Sequence, residues 1–322
     1  MLRLLLPRLA QTAAVLLLSS MIVFVVIRLA PGDPAVVELG PQAEDPRYKA
    51  MIEAKHKELG LDKPIPVQYL IWLRRVLTGD FGVSARNKEP VLDLILEKLP
   101  ATLQLVAGGM IFALFVAFIL GVLAALYHRT IVDGLVRVVT LVGVAIPPFW
   151  LGLILLLVFA VGLKWLPASG YVPFWEDPRE ALRHLILPAI SLGAYMMASF
   201  TRFLRAQMLE VNSQDYIRTA EAKGLSTISV VRRHALRNAV LPLVTVVGLE
   251  VGLQLGGTVI IEQIYGWPGI GWLALQAINN RDYPLIQGIV LMAAVFVALS
   301  TLTVDILYGF LDPRIRLAGE QQ

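Results

Sequence analysis

Asp215-Tyr-Ile-Arg-Thr-Ala-Glu-Ala-Lys-Gly224, continuing Leu-Ser-Thr-Ile-Ser-Val-Val-Arg-Arg-His234-Ala-Leu-Arg-Asn238, is polar and basic. Uncharged runs of near-spanning length flank it, His184–Thr201 before and Asn238–Ile261 after, the second interrupted only by Glu250. Asn212 or Ser213 is placed to cap a helix whose first turn holds Asp215, a carboxylate at the positive end of the helix dipole. Gly224 then follows the last helical residue, where a left-handed backbone is cheapest for glycine. Ser226 is placed to cap a second short helix running to about Arg237. The pattern predicts a helix-turn-helix projecting from a membrane. Ala220 and Ala222 keep part of its surface low, so that another protein can approach its backbone.

Working outward, the 322-residue chain is 57% hydrophobic with a mean hydropathy of +0.70, too apolar and too poor in charge for a soluble domain. No cysteine is present, which excludes disulfides, thiolate metal sites and cysteine nucleophiles. The formal charge of +4 is small and dispersed, and points away from nucleic acid. Apolar runs of about 20 residues cross the hydrocarbon core. Six are found: Leu9–Ile27, Thr102–Leu126, Val138–Leu163, His184–Thr201, Asn238–Ile261 and Tyr283–Val304. The first is read as a span and not as a signal peptide, because no clear small-residue cleavage site follows it.

The expected fold is therefore an all-α polytopic membrane protein with six transmembrane helices and both termini on one side. Thirteen basic residues fall on the proposed inner side: Arg3, Arg8, Arg129, Arg137, Arg202, Arg205, Arg218, Lys223, Arg232, Arg233, Arg237, Arg314 and Arg316. Four fall in the short outer loops, namely Lys164, Arg179, Arg183 and Arg281. That asymmetry places the termini and the 202–237 loop in the cytoplasm. The whole of 1–322 then reads as one transmembrane domain.

Residues 31–99 form a helical extracytoplasmic insertion between the first two spans. Asp45-Pro46 signals a helix start and Gly60 its stop. Pro66 opens a second helix, with Trp72 expected at the membrane interface. Val91–Leu99 reads as a third short helix, with Leu92, Ile95, Leu96 and Leu99 on one face. Two roles are open for this subdomain: capping the pore mouth, or docking a solute-binding protein. Prolines at Pro147-Pro148, Pro188 and Pro242 interrupt spans three, four and five, as static kinks or as hinges.

Within the fifth span, Gly248, Gly252 and Gly256 recur every fourth residue and line one helical face, a groove for close packing inside the chain or against a second subunit. Glu250 is the carboxylate near mid-span, and Gln254 shares its face. They are candidates for the solute path, with a structural hydrogen bond to another helix as the alternative. Glu262–Pro284 carries Gly266-Trp-Pro-Gly269 and Gly271-Trp272, the makings of a tight turn and an interfacial helix that plugs the outer mouth or simply anchors there. No phosphate-binding Gly-x-x-x-x-Gly-Lys-Ser/Thr loop, His-Glu-x-x-His motif or Gly-x-Ser-x-Gly elbow occurs. The sequence thus offers no ATPase, metal or acyl-transfer centre.

The 215–238 segment resembles the cytoplasmic loop of bacterial ABC importer permeases, whose motif is Glu-Ala-Ala, three residues, Gly, nine residues, Ile-x-Leu-Pro. With Gly224 on the motif glycine, Arg218, Thr219 and Ala220 fall on Glu-Ala-Ala and His234-Ala-Leu-Arg237 on Ile-x-Leu-Pro. The departures resemble those of the dipeptide/oligopeptide (peptide/nickel) branch, and of its first, B-type transmembrane subunit. The same branch is suggested by Arg28-Leu-Ala-Pro-Gly-Asp-Pro34, Gly79-Asp-Phe-Gly82, Arg281-Asp-Tyr-Pro284 and Leu311-Asp-Pro-Arg-Ile-Arg316, in order along nearly the whole chain.

The resemblance implies a non-catalytic permease subunit in the bacterial inner membrane. An extracytoplasmic binding protein delivers solute; a second homologous permease completes the path; two cytoplasmic ATPases, using ATP and Mg, drive it. It implies no cofactor in this chain itself. The coupling helices between spans four and five would engage the ATPase through Tyr216, Arg218, Thr219, Ala220, Ala222, Gly224 and His234. Dipeptides or oligopeptides are the implied solutes. Nickel complexes, glutathione or oligosaccharides are the alternatives within the same machinery. A secondary transporter is the alternative outside it, and Glu250 alone is thin support for one.

Overall fold

The computed structural model describes residues 2–29, 35–36, 48–58 and 60–311. Thirteen α-helices are found among them and no strand. In chain order they are α1 (Leu2–Leu29), α2 (Lys49–Glu58), α3 (Ile65–Leu77), α4 (Val91–Leu126), α5 (Ile131–Ala145), α6 (Pro148–Leu155), α7 (Pro178–Asn212), α8 (Asp215–Ala222), α9 (Thr227–Val230), α10 (Leu236–Gly257), α11 (Val259–Ile264), α12 (Ile270–Asn279) and α13 (Tyr283–Leu311). Two π-helical stretches extend them, Leu156–Gly162 after α6 and Val231–Ala235 between α9 and α10.

Five segments are long and apolar enough to cross a bilayer: Pro7–Leu29, Val91–Leu126, Pro178–Asn212, Ile228–Gln254 and Tyr283–Val304. The sixth expected span is a bent pair, Ile131–Ala145 and Pro148–Gly162, meeting at 101°. The bend has a local cause. A residue before proline is pushed out of the helical region, and both Ile146 (ψ 121°) and Pro147 (ψ 137°) are extended. Pro188 and Pro242, by contrast, sit inside unbroken helices.

At the centre α4 packs along α7. A Cβ at Gly193 would press into the Gly109 carbonyl oxygen, so only glycine lets these backbones approach so closely. Leu105, Met196, Phe200, Leu204 and Met208 fill the seam, and α5, α6 and α10 pack around it. α13 joins α10 to α1.

The insertion between the first two spans differs from expectation at one end. Val91–Leu99 is not a separate helix but the first turns of α4, with Pro100 inside the helix. A single proline removes one donor while the bonds on either side hold. Gly60 (φ +68°) ends α2, with Leu61 N–H donating to the His56 carbonyl; the Asp45-Pro46 start lies outside the described residues. Trp72 packs at a tilt against Phe24 (ring centroids 5.6 Å apart), pinning α3 to α1. The Ser84–Arg86 segment that follows the Gly79–Gly82 turn and the Arg281–Pro284 corner, far apart in sequence, meet at Asp282. Its buried carboxylate accepts from the Ser84 hydroxyl and from Ala85 N–H (3.2 Å).

Candidate coupling site and solute path

The polar loop is built on two buried side chains of α8, Ile217 and Ala220, which join the main core together with Val230, Ala235 and Ala239. Ala220 therefore faces inward, against the expectation that it lines a low outer surface; Ala222 does stand on the exposed side. Tyr216, Arg218, Thr219, Lys223 and Gly224 share that exposure, and His234 is half-buried. Gly224 has φ +79° and open space where a Cβ would point.

Two sequence expectations about the caps are corrected. α7 continues through Asn212, and Ser213 turns its hydroxyl back to the Glu210 carbonyl (2.7 Å), so neither caps α8. The Gln214 carbonyl instead accepts the first amide of that helix, from Ile217 (3.1 Å). The second helix begins after Ser226, whose carbonyl accepts from Val230 N–H (3.0 Å). It does not end near Arg237. It runs through the π-helical Val231–Ala235 directly into α10. A continuous helical rod thus connects the loop to the fifth span. Asn238 on that rod donates to the Tyr216 hydroxyl at 3.1 Å, tying α8 to it.

Along α10, Gln254 Nε2 donates to Glu250 Oε2 at 3.3 Å, and both side chains are half-buried. Gly248 and Gly252 lie against α13: a Cβ on Gly248 would overlap Val304, and one on Gly252 would stand 3.3 Å from the Val297 Cα. Gly256 has nothing within 4 Å. The glycine groove is filled by the last span at two positions and open at the third.

Two clusters escaped the sequence reading. Glu262 is fully buried at the start of α11. It accepts from the Thr102 hydroxyl and from Trp272 N–H, each at 2.8 Å, and Thr102 accepts in turn from Ile270 N–H (2.8 Å). Burial pushes its carboxyl above the usual range, and the donors around it offset only part of that shift. Trp267 is buried, not interfacial; it donates to the Ala101 carbonyl (2.7 Å), and Tyr265 donates to the Gly152 carbonyl (2.9 Å). The Gly266–Trp272 turn is therefore a knot joining the second and third spans. At the other end of the bundle, Arg205 on α7 grips Asp133 on α5 with both arms, Nε to Oδ1 at 2.7 Å and Nη2 to Oδ2 at 2.9 Å. Arg129 N–H adds a third bond at 3.1 Å. Among the described residues, no group of three His, Asp or Glu side chains is arranged to hold a metal.

Five helices of spanning length and a bent pair, glycine-mediated packing and a polar helix-turn-helix fused to the fifth of the expected spans make a polytopic membrane bundle. Residues 117–317 match the family described as binding-protein-dependent transport system inner membrane component, and residues 1–106 match its N-terminal companion family. The chain belongs to this family of ABC importer permeases. It is 44% identical over 317 residues to the di/tripeptide transport system permease protein DppB of Pseudomonas aeruginosa, covering 92% of this chain and 94% of that protein. It is 40% identical to the probable peptide ABC transporter permease protein y4tP of Sinorhizobium fredii (97% and 98% covered). It is also 40% identical to the oligopeptide transport system permease protein AppB of Bacillus subtilis (96% and 97% covered).

Proposed function

We propose that this permease subunit moves short peptides inward across the bacterial inner membrane. The observation that carries the reading is full-length similarity, at 40–44% identity, to permeases named for di/tripeptide and oligopeptide transport. In this reading a solute-binding protein delivers the peptide, and a second permease of the same family shares the path. Two ATPases, using ATP and Mg, power the cycle from the cytoplasm. The chain itself hydrolyses nothing. The termini and the 202–237 loop face the ATPases, and the exposed face of α8 (Tyr216, Arg218, Thr219, Ala222) enters a groove on one of them. Ala220, buried beneath, and Gly224 hold that face in place, while His234 begins the link to α10. Motion of the ATPase then passes along the α9–α10 rod to Glu250 and Gln254, which line the path.

The test is purification in mild detergent with mass spectrometry of the co-purifying subunits, then uptake by the reconstituted complex with its cognate binding protein. A second permease and ATPases should co-purify. Labelled di-, tri- and oligopeptides should compete for uptake, while nickel chelates, glutathione and oligosaccharides should not. Uptake that survives ATP depletion and collapses with the proton gradient would overturn the reading. Glu250→Gln should change uptake for at least some peptides; unchanged uptake for all would remove it from the path.

A further inference from the structure

Val230, Ala235, Ala239 and Leu243 are all buried in the main core, at intervals of five, four and four residues. The last two intervals suit an α-helix. The first does not, because an α-helix turns residues five apart by about 140°. The π-helical Val231–Ala235 supplies the difference. Before it, Val230 N–H donates four residues back, to the Ser226 carbonyl (3.0 Å). After it, Leu236 N–H donates five residues back, to the Val231 carbonyl. The stretch is a helical turn with one residue too many, and that surplus lets Val230 share a face with Ala235. Such turns are rare and recur at functional sites.

An unbroken α-helix would set Val231, not Val230, four residues before Ala235. Val231 is half-buried and already packs against the same core. One seat in the core thus has two valines in line for it: Val230 fills it in the π form, and Val231 fills it in an α form. Packed interfaces are bistable and not continuously deformable, so two registers of one element are a way to carry motion. The flanks suit such an exchange. α9 is four residues long. On its far side Gly224 takes φ +79°, with open space around it. Beyond that, α8 is seated by Ile217 and Ala220. α9 therefore hangs between two joints, and it carries Ile228 with 78% of its surface exposed.

We propose that Val231–Ala235 is a register switch: its π turn converts to α-helix, Val231 replaces Val230 in the core seat, and α9 turns relative to α10 by one residue, about 100°. A partner that presses on Ile228 drives the exchange, and α10 receives it. The inference rests on the reading of the 202–237 loop as the ATPase contact.

The experiment uses the complete transporter, reconstituted with its binding protein, and reads uptake per ATP hydrolysed. Deletion of Arg233 removes the surplus residue; Val230 then lies four residues before Ala235, and a single register remains. Arg233→Ala removes the same exposed side chain and keeps the residue count. The deletion variant should insert, assemble and hydrolyse ATP, with uptake per ATP reduced at least about fivefold, the lower end of coupling between sites. Arg233→Ala should match the wild type. Equal uptake per ATP in these two variants would overturn the proposal. The register itself is read by maleimide labelling of Val230→Cys, in a chain that has no other cysteine. Labelling should be slow at rest and faster once the ATPases are trapped with vanadate. Identical labelling in the two states would overturn the switch, whether or not the deletion variant assembles. If the loop does not meet the ATPases, Gly224→Val stays coupled along with the deletion variant. If the switch alone is wrong, Gly224→Val is uncoupled and the deletion variant is not.

Discussion

Asn238, the third residue of α10, donates its side-chain amide to the hydroxyl of Tyr216 at 3.1 Å. This bond spans 22 residues and joins the exposed face of α8 to the rod that enters the membrane. Tyr216→Phe keeps the ring and removes the acceptor. The bond is solvent-exposed, so stability should change by no more than about 1 kcal/mol. Uptake per ATP hydrolysed should fall. An unchanged ratio in the reconstituted complex would take this bond out of the coupling route.

Gly224 separates steric from conformational effects. Beyond its chain neighbours, no atom lies within 4 Å of where its Cβ would be, yet its φ is +79°. Any cost of substitution is thus backbone strain, about 1–2 kcal/mol for a β-branched residue in this region and less for asparagine. Gly224→Val should leave membrane insertion intact and uncouple ATP hydrolysis from uptake, while Gly224→Asn retains most coupling. Identical behaviour of the two variants would show that the left-handed turn does not matter to transport.

Glu262 gives a pH dependence with a definite sign. Its carboxyl is raised by burial, so the folded state holds the proton where the unfolded chain has released it. Its contribution to stability is greatest below the ordinary glutamate value, about 4.3. It declines as pH rises from there through the raised folded value, and is flat above. Glu262→Gln should remove this slope at a cost of about 1 kcal/mol, because an amide can still accept from Trp272 N–H and donate to Thr102. Glu262→Ala leaves those groups unpaired around a cavity and should cost about 2–4 kcal/mol. Thermal unfolding of wild type and both variants between about pH 5 and 8 checks the sign; a wild-type advantage over Glu262→Gln that grows with pH would contradict it.

Asp133 and Arg205 are 72 residues apart in the chain and form a two-armed ion pair. The Asp133 side chain is inaccessible while Arg205 is 19% exposed, near the end of the bundle, where water screens part of the charge. Arg205→Ala should therefore cost about 2–3 kcal/mol, below the cost of breaking a deep pair. Arg205→Met combined with Asp133→Leu should recover most of it. A double variant as unstable as the single one would mean that the pair is needed for more than charge balance.

What could be read from the sequence was local. The apolar runs mark five helices of spanning length, because length and hydropathy are properties of contiguous residues, while the sixth run, Val138–Leu163, falls on a pair of helices bent by 101°. Gly60 and Gly224 are legible as helix stops because a positive φ is nearly a glycine privilege. The partners of Asp133 and Glu262 were not legible. Both carboxylates are satisfied by residues distant in sequence, Arg205 in one case and Thr102 in the other. Trp267 misled for the same reason: tryptophan beside glycine and proline at a span end suits an interface, but long-range packing against Tyr171 and Ala101 buries it. For Ala220 the helical face decides, and that is set by where Ile217 finds the core.

The bent pair α5–α6 bears on the topology. Counted as one crossing, it puts Arg129 and Lys164 on opposite sides of the membrane; folded back as a re-entrant hairpin, it puts them on the same side. Both residues are exposed, both have positive φ, and the chain contains no cysteine. Single-cysteine variants Arg129→Cys and Lys164→Cys therefore report on a clean background. In intact spheroplasts a membrane-impermeant maleimide should label Lys164→Cys and leave Arg129→Cys unlabelled until the membrane is broken. That result makes six crossings, keeps the basic loop at 202–237 on the side of Arg129, and agrees with the thirteen-to-four distribution of positive charge. Equal labelling of both positions in intact cells would leave five crossings. The termini would then lie on opposite faces, and the extended Ile146–Pro147 corner would be the tip of a hairpin dipping into the bilayer.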